Sequence, residues 1–252
     1  MSDVSKTYWN KKAEAWSCDA DRADSLFRGR SLSVAELVRR HVPKCRSLDV
    51  GCGSGKLMKM LLEAGYDAYG ADLSEKMVEQ SIRNLSDIAE DAERRVRVSG
   101  PDGLPFDSEF GLITAIGIFP YVPDFREYLS TLSTALRADG FLCATCTIRS
   151  SRYSLRAAKN ALKTGDLRSV VNLLRTGIWS GGNVERKQAR QCYSARSFDR
   201  LFDQGGYRHV ADFSWYGYPR FDRSPLSRRG LARLVARHRG WSYVGLWQKK
   251  GP

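Results

Sequence analysis

A turn with three glycines, set between an apolar segment and a helical one, constrains the fold of this chain most. The segment LDVGCGSG occupies residues 48–55, with glycine at positions 51, 53 and 55. RSLDV before the turn reads as a buried strand, and KLMKMLLEAG after it has apolar residues at helical spacing. Glycine is needed where a turn requires positive φ or where a ligand must approach the backbone closely. The sequence therefore predicts a strand, a ligand-binding turn and a helix.

Two common phosphate-binding motifs do not fit this turn. A Walker loop would need glycine at position 50 and serine or threonine at position 57, where the chain has Val50 and Leu57. A dinucleotide fingerprint would need a third glycine at position 56, which is Lys56. The turn therefore belongs to neither class.

The same alternation of short apolar strands and helical patterns continues from residue 46 to residue 148. The predicted strands are RSLDVG, YDAYGADL, VRVSG, FGLITAIGIF and GFLCATCTI. One of the helices between them, SEKMVEQSIRNL, begins with a capping serine, Ser74, and a carboxylate in its first turn, Glu75. Such alternation predicts crossover connections, and hence a parallel sheet with helices on both faces.

The pattern changes after Arg149. Two amphipathic helices are predicted within residues 152–179, joined at Gly165 and Asp166, and the glycines at 181 and 182 end this segment. A helix in YSARSFDRLFDQGGY, a strand in HVADFSWYGY, a basic helix near residues 224–238 and a final strand in WSYVGLWQKK follow. We predict one domain over residues 1–252, divided into N-terminal cap helices (1–45), a core (46–148), a basic helical insertion (150–190) and a C-terminal part of the sheet (191–252).

Charge is distributed unevenly between these parts. Residues 1–148 carry 19 basic and 22 acidic side chains, whereas residues 149–252 carry 22 basic and 6 acidic ones. The formal charge of +13 thus arises entirely in the C-terminal part. An anionic partner is expected to meet that part.

Three sequence features occur in an order that is typical of one enzyme family. The glycine turn is followed by Asp72 in GADLS, 17 residues after Gly55, and then by PDGLPFDSEFGLITAIGIFPYVPD at residues 101–124. From about residue 7 to the final strand, the chain resembles the class I S-adenosylmethionine (SAM)-dependent methyltransferases. The resemblance implies a Rossmann-like α/β fold with a seven-stranded mixed sheet, an antiparallel last strand and a helical lid insertion after the fifth strand. It also implies methyl transfer from SAM to an oxygen or nitrogen of a small acceptor.

The resemblance assigns roles to individual residues. Gly51, Cys52 and Gly53 would line the amino-acid portion of SAM, and Asp49 would orient its ammonium. Asp72 would accept hydrogen bonds from both ribose hydroxyls, because a carboxylate can accept two donors at once, and Leu73 would pack on the adenine. The implied cofactor-binding residues are Tyr8, Trp16, Asp49, Gly51, Cys52, Gly53, Gly55, Asp72, Leu73, Asp102 and Gly117.

The chain departs from the family pattern at two places. Many relatives have an aspartate four positions before the Leu-Pro-Phe element that accepts from the adenine amino group; here that position is Gly100, so Asp102 or a backbone carbonyl takes this role. Relatives often carry His-Val-x-Asp after the fourth strand, and here Tyr121 occupies the histidine position. Tyr121 either orients the acceptor and helps to remove its proton, or only shapes the pocket.

Aromatic residues are concentrated near the N-terminus, where Tyr8, Trp9 and Trp16 precede the first strand. In related enzymes such a segment folds over the cofactor, and an aromatic face beside a sulfonium gives cation–π stabilisation. The alternative is that these residues only anchor the first helix.

Other chemistries find little support in the sequence. Cys143 and Cys146 form a CxxC, but no second pair accompanies it, and the surrounding FLCATCTI predicts a buried strand rather than a metal site. The three histidines, His41, His209 and His238, form neither a hydrolytic triad nor a metal-ligand pattern. No signal-peptide core or membrane span is recognisable, which predicts a cytoplasmic protein with reduced thiols.

The basic insertion leaves several interpretations open. It could grip an anionic small acceptor with arginines. It could lie on an anionic membrane surface and receive a lipid-like acceptor, with Trp179 at the interface. It could bind RNA, as in an RNA methyltransferase, although no RNA-binding module is recognisable, or it could be only a solvated helix face. A non-catalytic SAM-binding regulator is a further alternative.

Overall fold

The computed structural model describes residues 3–21, 26–99, 103–106, 109–149, 152–176, 178–179, 190–215 and 242–251. Within these residues the strands are β1 (Arg46–Val50), β2 (Asp67–Asp72), β3 (Val96–Val98), β4 (Phe110–Ala115), β5 (Leu136–Ile148), β6 (Ile178–Trp179), β7 (Arg190–Tyr193), β8 (Tyr207–Trp215) and β9 (Ser242–Lys249). The helices are α1 (Asp3–Asp21), α2 (Leu26–His41), α3 (Lys56–Glu63), α4 (Glu75–Leu85), α5 (Ala92–Arg95), α6 (Phe125–Ala135), α7 (Arg152–Lys163), α8 (Leu167–Thr176) and α9 (Ala195–Gln204). A short 3₁₀ helix spans Phe119–Tyr121.

The sheet has the mixed topology that the resemblance implies. Strands β3, β2, β1, β4 and β5 lie side by side and are all parallel. Strand β9 then runs antiparallel to both of its neighbours, β5 and β8. The Rossmann-like seven-stranded sheet with an antiparallel last strand is therefore confirmed.

Two short strands extend this sheet beyond the predicted seven. Thr147 of β5 pairs with Ser242 of β9 and also with Cys192 of β7, so β7 and β9 lie on opposite edges of β5. Because β4 pairs with β5 only as far as Ala144, β7 occupies the edge that β4 leaves open. Strand β6 adds to β7 in antiparallel orientation. The insertion is thus joined to the carboxyl end of β5, where the functional turn is expected.

Apolar side chains fill both faces of the sheet. On one face, aromatic residues of α6 and α9 pack with β9, and the rings of Phe202 and Trp247 stack at a centroid distance of 3.8 Å. On the other face, α2 and α3 contribute Val34, Leu37 and Leu61 to a second buried cluster. Helices therefore cover both faces, as the alternating pattern predicts.

The two helices expected after β5 are present as α7 and α8. Gly165, with a φ of +75°, lies in the connection between them, and the two helices pack on one another. We call residues 152–176 the α7–α8 hairpin. The basic helix predicted near residues 224–238, together with Gly181 and Gly182, lies outside the described residues. Among the described helices, none is long and apolar enough to cross a membrane.

Candidate cofactor and acceptor site

The glycine turn leaves β1 and returns at once into α3. Gly51, Gly53 and Gly55 all have positive φ, at 70°, 55° and 77°. The backbone N–H groups of Gly51 and Cys52 both donate to the carbonyl of Ala71, at 2.7 and 3.1 Å. A Cβ at Gly55 would lie 2.3 Å from the Ser81 hydroxyl, so helix α4 can approach only a glycine here.

Asp72 ends β2 directly beside this turn. Its Oδ2 accepts the N–H of Gly53 at 2.9 Å, and its Oδ1 accepts the N–H of Ser74 at 2.9 Å. Burial raises the pKa of Asp72, while the backbone N–H groups of Ser74 and Gly53 lower it. Each carboxylate oxygen has two lone pairs, so both can accept a further donor. The geometry gives a fixed, acceptor-rich carboxylate next to the glycine turn.

Asp49, on β1, is the second buried carboxylate of this region, with 4% of its surface exposed. The hydroxyl of Thr114 donates to its Oδ1 at 2.6 Å, because β1 and β4 place these two residues side by side. The pKa of Asp49 is raised to about 7, mainly by burial and also by the nearby Asp72, while the Thr114 hydrogen bond and the Arg30 charge oppose the shift. A buried carboxylate with so high a pKa favours the arrival of a cation.

Arg30, on α2, is a site residue that the sequence analysis missed. Desolvation lowers the pKa of its guanidinium to about 10, against the attraction of Tyr121 and Asp49. Its Nη1 lies 3.5 Å from the position that a Cβ on Gly117 would take. Arg30 precedes the buried Val34 and Leu37 by four and seven residues, which places it on the buried face of the helix. The only sequence signal for Arg30 was a single positive charge among the apolar residues of that helix face.

The aromatic residues of α1 lie over the turn. The ring of Trp9 contacts those of Tyr8, Trp16 and Tyr121 edge-to-face, at centroid distances of 5.1, 5.3 and 6.4 Å. The Nε1 of Trp16 lies 3.5 Å from the position of a Cβ on Gly53. The structure thus brings Tyr8 and Trp16 together with Tyr121 of the rim.

Polar contacts fasten α1 to the start of α4. The Oδ1 of Asn10 accepts from the hydroxyl of Ser74 at 2.6 Å, and Lys6 forms a 2.7 Å ion pair with Glu75. Ser74 also caps α4 by accepting the N–H of Met77. These contacts attach α1, the helix that covers the turn, to residues that follow Asp72 by two and three positions.

The remaining predicted residues are placed as follows. Gly117 has a φ of +84°, and its N–H donates to the hydroxyl of Thr145 at 2.7 Å. Cys52 is buried within the turn, and Leu73 is half-buried after Asp72. Asp102 and Gly100 lie outside the described residues, so the adenine acceptor stays a prediction.

The other reactive side chains lie elsewhere. Cys143 and Cys146 are buried in β5, as the strand prediction requires, and burial raises the pKa of both thiols. His41 ends α2 at the surface, and the Nε2 of His209 lies 3.2 Å from the Asp212 carboxylate. His238 is outside the described part of the chain. Throughout that part, no group of three or more His, Cys, Asp or Glu residues could hold a metal ion.

The α7–α8 hairpin is connected to the rim of this site. Arg149, directly after β5, donates from Nε and Nη2 to the carbonyl of Leu173 at 3.0 and 2.7 Å, and from Nη2 to that of Leu174. Gln191 of β7 donates to the carbonyl of Pro123 at 3.1 Å, two residues after Tyr121. The α7–α8 hairpin and the candidate site therefore share the carboxyl edge of the sheet.

Sequence comparison identifies the family and several relatives. A family model described as a methyltransferase domain matches residues 18–212, well over half of the chain. An uncharacterized protein of Haemophilus influenzae is 35% identical over 100 residues, which are 38% of this chain and 39% of that protein. A ubiquinone biosynthesis O-methyltransferase of Hydrogenovibrio crunogenus is 25% identical over 140 residues, which are 53% and 56% of the two chains. The chain thus spans about half or less of these relatives' length.

Solved structures share the fold over nearly the whole chain. A SAM-dependent methyltransferase of Thermotoga maritima superimposes with a TM-score of 0.62 at 17% identity, covering 97% of this chain and 99% of that one. The magnesium protoporphyrin IX methyltransferase of Synechocystis PCC 6803, solved with bound SAH, gives a TM-score of 0.63 at 15% identity and covers 98% of each chain. The chain belongs to the methyltransferase domain family.

Proposed function

We propose that the enzyme transfers the methyl group of SAM to an oxygen or nitrogen of a small acceptor that is anionic or lipid-like. The reaction would take place in the cleft bounded by the glycine turn, Asp72 and Tyr121. The observation that carries the proposal is the Asp72 carboxylate, which two backbone N–H groups fix beside the turn while leaving it lone pairs for further donors.

The chemistry of the donor set fits SAM. Asp72 would accept the two ribose hydroxyls, and Leu73 would pack on the adenine, with Asp102 or a backbone carbonyl accepting from its amino group. Asp49 suits the cationic ammonium because it is a buried carboxylate whose pKa falls when a positive charge arrives. Arg30, next to Asp49, would take the carboxylate of the methionine portion. The backbone of Gly51, Cys52 and Gly53 would line that portion.

The chain itself contributes alignment and exclusion of water. SAM, when bound, supplies a methyl group already activated by a sulfonium. Helix α1 would close over the cofactor, and Trp9, with Tyr8 and Trp16 around it, would present aromatic surface to the positive charge. Holding the acceptor atom in line with the methyl group is the main catalytic task, because an oriented pair reacts far faster than a free one.

Tyr121 is the candidate for positioning the acceptor. It ends the 3₁₀ helix after β4, beside Trp9 and within electrostatic range of Arg30. We expect Tyr121→Phe to lower kcat at least tenfold while leaving the affinity for SAM unchanged, because the hydroxyl would act only on the acceptor. The matched control is Tyr69→Phe. The hydroxyl of Tyr69 accepts a hydrogen bond from Arg46 at the amino end of the sheet. An unchanged kcat in Tyr121→Phe would show that this residue only shapes the pocket.

The acceptor class is inferred from charge and position. The excess of basic residues begins at Arg149, where the hairpin joins the rim of the site. A small anionic or lipid-like acceptor that approaches from this side would meet complementary charge.

Formation of S-adenosylhomocysteine tests the proposal directly. The purified enzyme should form it with some members of a panel of phenolic, carboxylated and lipid-linked acceptors, and no product with any of them would favour the non-catalytic regulator. Cell extract should also supply acceptor, before and after nuclease treatment. Loss of acceptor activity after nuclease treatment would show that the acceptor is RNA and not a small molecule.

A further inference from the structure

Each helix of the α7–α8 hairpin has exposed apolar side chains, which together we call the apolar stripe. On α8, Leu167, Val171 and Leu174 follow one another at helical spacing and are 61%, 49% and 70% exposed. On α7, Leu155 and Leu162 are 62% and 52% exposed. Their spacing is that of the apolar positions of amphipathic helices, which normally face a core. Here they face outwards.

Packing of the hairpin does not require this stripe. Its inner contacts come from other residues, because Ala161, Ser169 and Leu173 are buried. Arg149 holds the carboxyl end of α8 by donating to the carbonyls of Leu173 and Leu174. The hairpin is therefore fixed in place while the apolar side chains of the stripe remain at the surface.

Basic side chains border the stripe. Arg168 and Arg175 line the same groove of α8 as Leu167 and Val171, and Lys159 and Lys163 are exposed on α7. Asp166 is the one acidic residue between positions 152 and 176, and its Oδ1 already accepts the N–H of Ser169 at the start of α8. Exposed leucines flanked by arginines form the pattern of a helix that lies in a lipid headgroup region.

We propose that the α7–α8 hairpin docks the enzyme on the surface of an anionic phospholipid bilayer. An anionic bilayer matches both properties of the surface, since its headgroups attract the arginines and its acyl boundary takes up the leucines. RNA would leave the leucines in water. A second copy of the chain would bring the same positive charge to the contact.

Docking would bring the site close to molecules dissolved in the bilayer. The hairpin is followed by β6, which pairs with β7. Gln191 of β7 donates a hydrogen bond to the carbonyl of Pro123 at the rim of the site. This consequence rests on the proposed function, because it names the bilayer as the place where a lipid-like acceptor is met. Docking itself requires no turnover and is measured separately.

Co-sedimentation of the full-length enzyme with vesicles tests the docking. Vesicles of phosphatidylcholine alone should bind little enzyme, and vesicles containing phosphatidylglycerol should bind it strongly at low salt and weakly at high salt. The triple variant Leu167→Ser, Val171→Ser, Leu174→Ser should lose this binding. The charge variant Arg168→Glu, Arg175→Glu should weaken it more than tenfold, since each arginine near an anionic surface contributes roughly fivefold.

Matched controls separate this surface from general effects. Leu32→Ser with Ile88→Ser removes apolar residues that are exposed elsewhere, at 48% and 40%, and Arg83→Glu with Arg94→Glu reverses two other exposed arginines. Both controls should bind vesicles like the wild type, and every variant should keep its circular dichroism spectrum and its affinity for SAM. Absence of wild-type binding at low salt would overturn the proposal. So would equal binding by the hairpin variants, or a concentration-dependent dimer that the triple variant abolishes. If the wild-type enzyme did not bind SAM, this would contradict the proposed function and not the docking.

Discussion

The near-neutral N-terminal part and the basic C-terminal part use charge in opposite ways. Around the turn two carboxylates are held by hydrogen bonds, Asp72 by the N–H groups of Gly53 and Ser74 and Asp49 by the hydroxyl of Thr114. On the hairpin, Lys159, Lys163, Arg168 and Arg175 are exposed and surrounded by solvent. A buried charge in a fixed position can select one ligand atom, whereas exposed charges attract a whole surface. The net charge of the chain reflects only the second use.

Removing the Asp72 carboxylate should produce the largest effect on this comparison. Asp72→Ala should lower the affinity for SAM at least 100-fold by titration calorimetry, since it would delete the two charge-assisted hydrogen bonds proposed to the ribose. Its fold should persist, because Asp72 lies at the end of β2. Asp87→Ala, at an exposed carboxylate after α4, is the control and should bind normally. Unchanged affinity in Asp72→Ala would contradict the proposed role of this carboxylate.

Asp49 should link cofactor affinity to pH. Because its pKa is raised to about 7, the carboxylate is protonated as pH falls through that value, and the affinity for SAM should decrease with it. Asp49→Asn should bind SAM about 30-fold more weakly at pH 8 and lose this pH dependence. Calorimetry between pH 6 and pH 8 measures both effects, and a flat profile in the wild type would contradict them.

The same substitution should stabilise the protein without cofactor. Between the unfolded pKa near 4 and the folded value of about 7, the folded state binds more protons than the unfolded state, so this group makes stability fall as pH rises. Asp49→Asn removes a buried charge at pH 8 and should raise the free energy of unfolding by about 2 kcal/mol there. The gain should shrink towards pH 4. Urea unfolding at several pH values measures it, and a loss of stability at pH 8 would show that the charge is well compensated.

Arg30 should contribute a smaller amount. Arg30→Met should weaken SAM binding about tenfold by removing the partner of the methionine carboxylate. Because Arg30 lowers the pKa of Asp49, the midpoint of the pH dependence should also move upwards. Arg39→Met, at an exposed position of the same helix, is the control. A tenfold loss without the upward shift would assign Arg30 a purely structural role.

Arg149 should have the smallest effect on the cofactor. Arg149→Met removes the donors to the carbonyls of Leu173 and Leu174 and should cost about 1–2 kcal/mol of local stability. Hydrogen exchange in α8 should therefore speed up, while the affinity for SAM stays within twofold of the wild type. A larger loss of affinity would mean that the hairpin and the cofactor cleft are not separable.

The sequence predicts the glycine turn and the place of Asp72 well because their requirements are local. A tight turn of positive φ needs glycine at Gly51, Gly53 and Gly55, and a carboxylate at a strand end identifies Asp72. Arg30 could not be found in this way, since its partner Asp49 lies 19 residues further along the chain and no motif surrounds it. Its position depends on how α2 packs against the sheet.

The hairpin shows a second limit. Spacing of apolar residues revealed both helices, including the connection at Gly165, because periodicity is a property of the helix alone. It could not tell which apolar side would be covered, and Leu173 is buried while Leu174 is exposed. The pairing of β6 with β7 was also missed, because two-residue strands carry no alternation that could be read.

The buried thiol of Cys52 has a consequence for the lifetime of the enzyme. SAM carries an electrophilic methyl group, and a thiolate is the strongest nucleophile that a protein side chain offers. Burial, with the negative charges of Asp72 and Asp49, raises the pKa of Cys52 well above its usual range. The sulfur therefore stays protonated and inert within the turn. Under the proposed function, the acidic surroundings that suit a cationic ligand would also keep this thiol from accepting the methyl group.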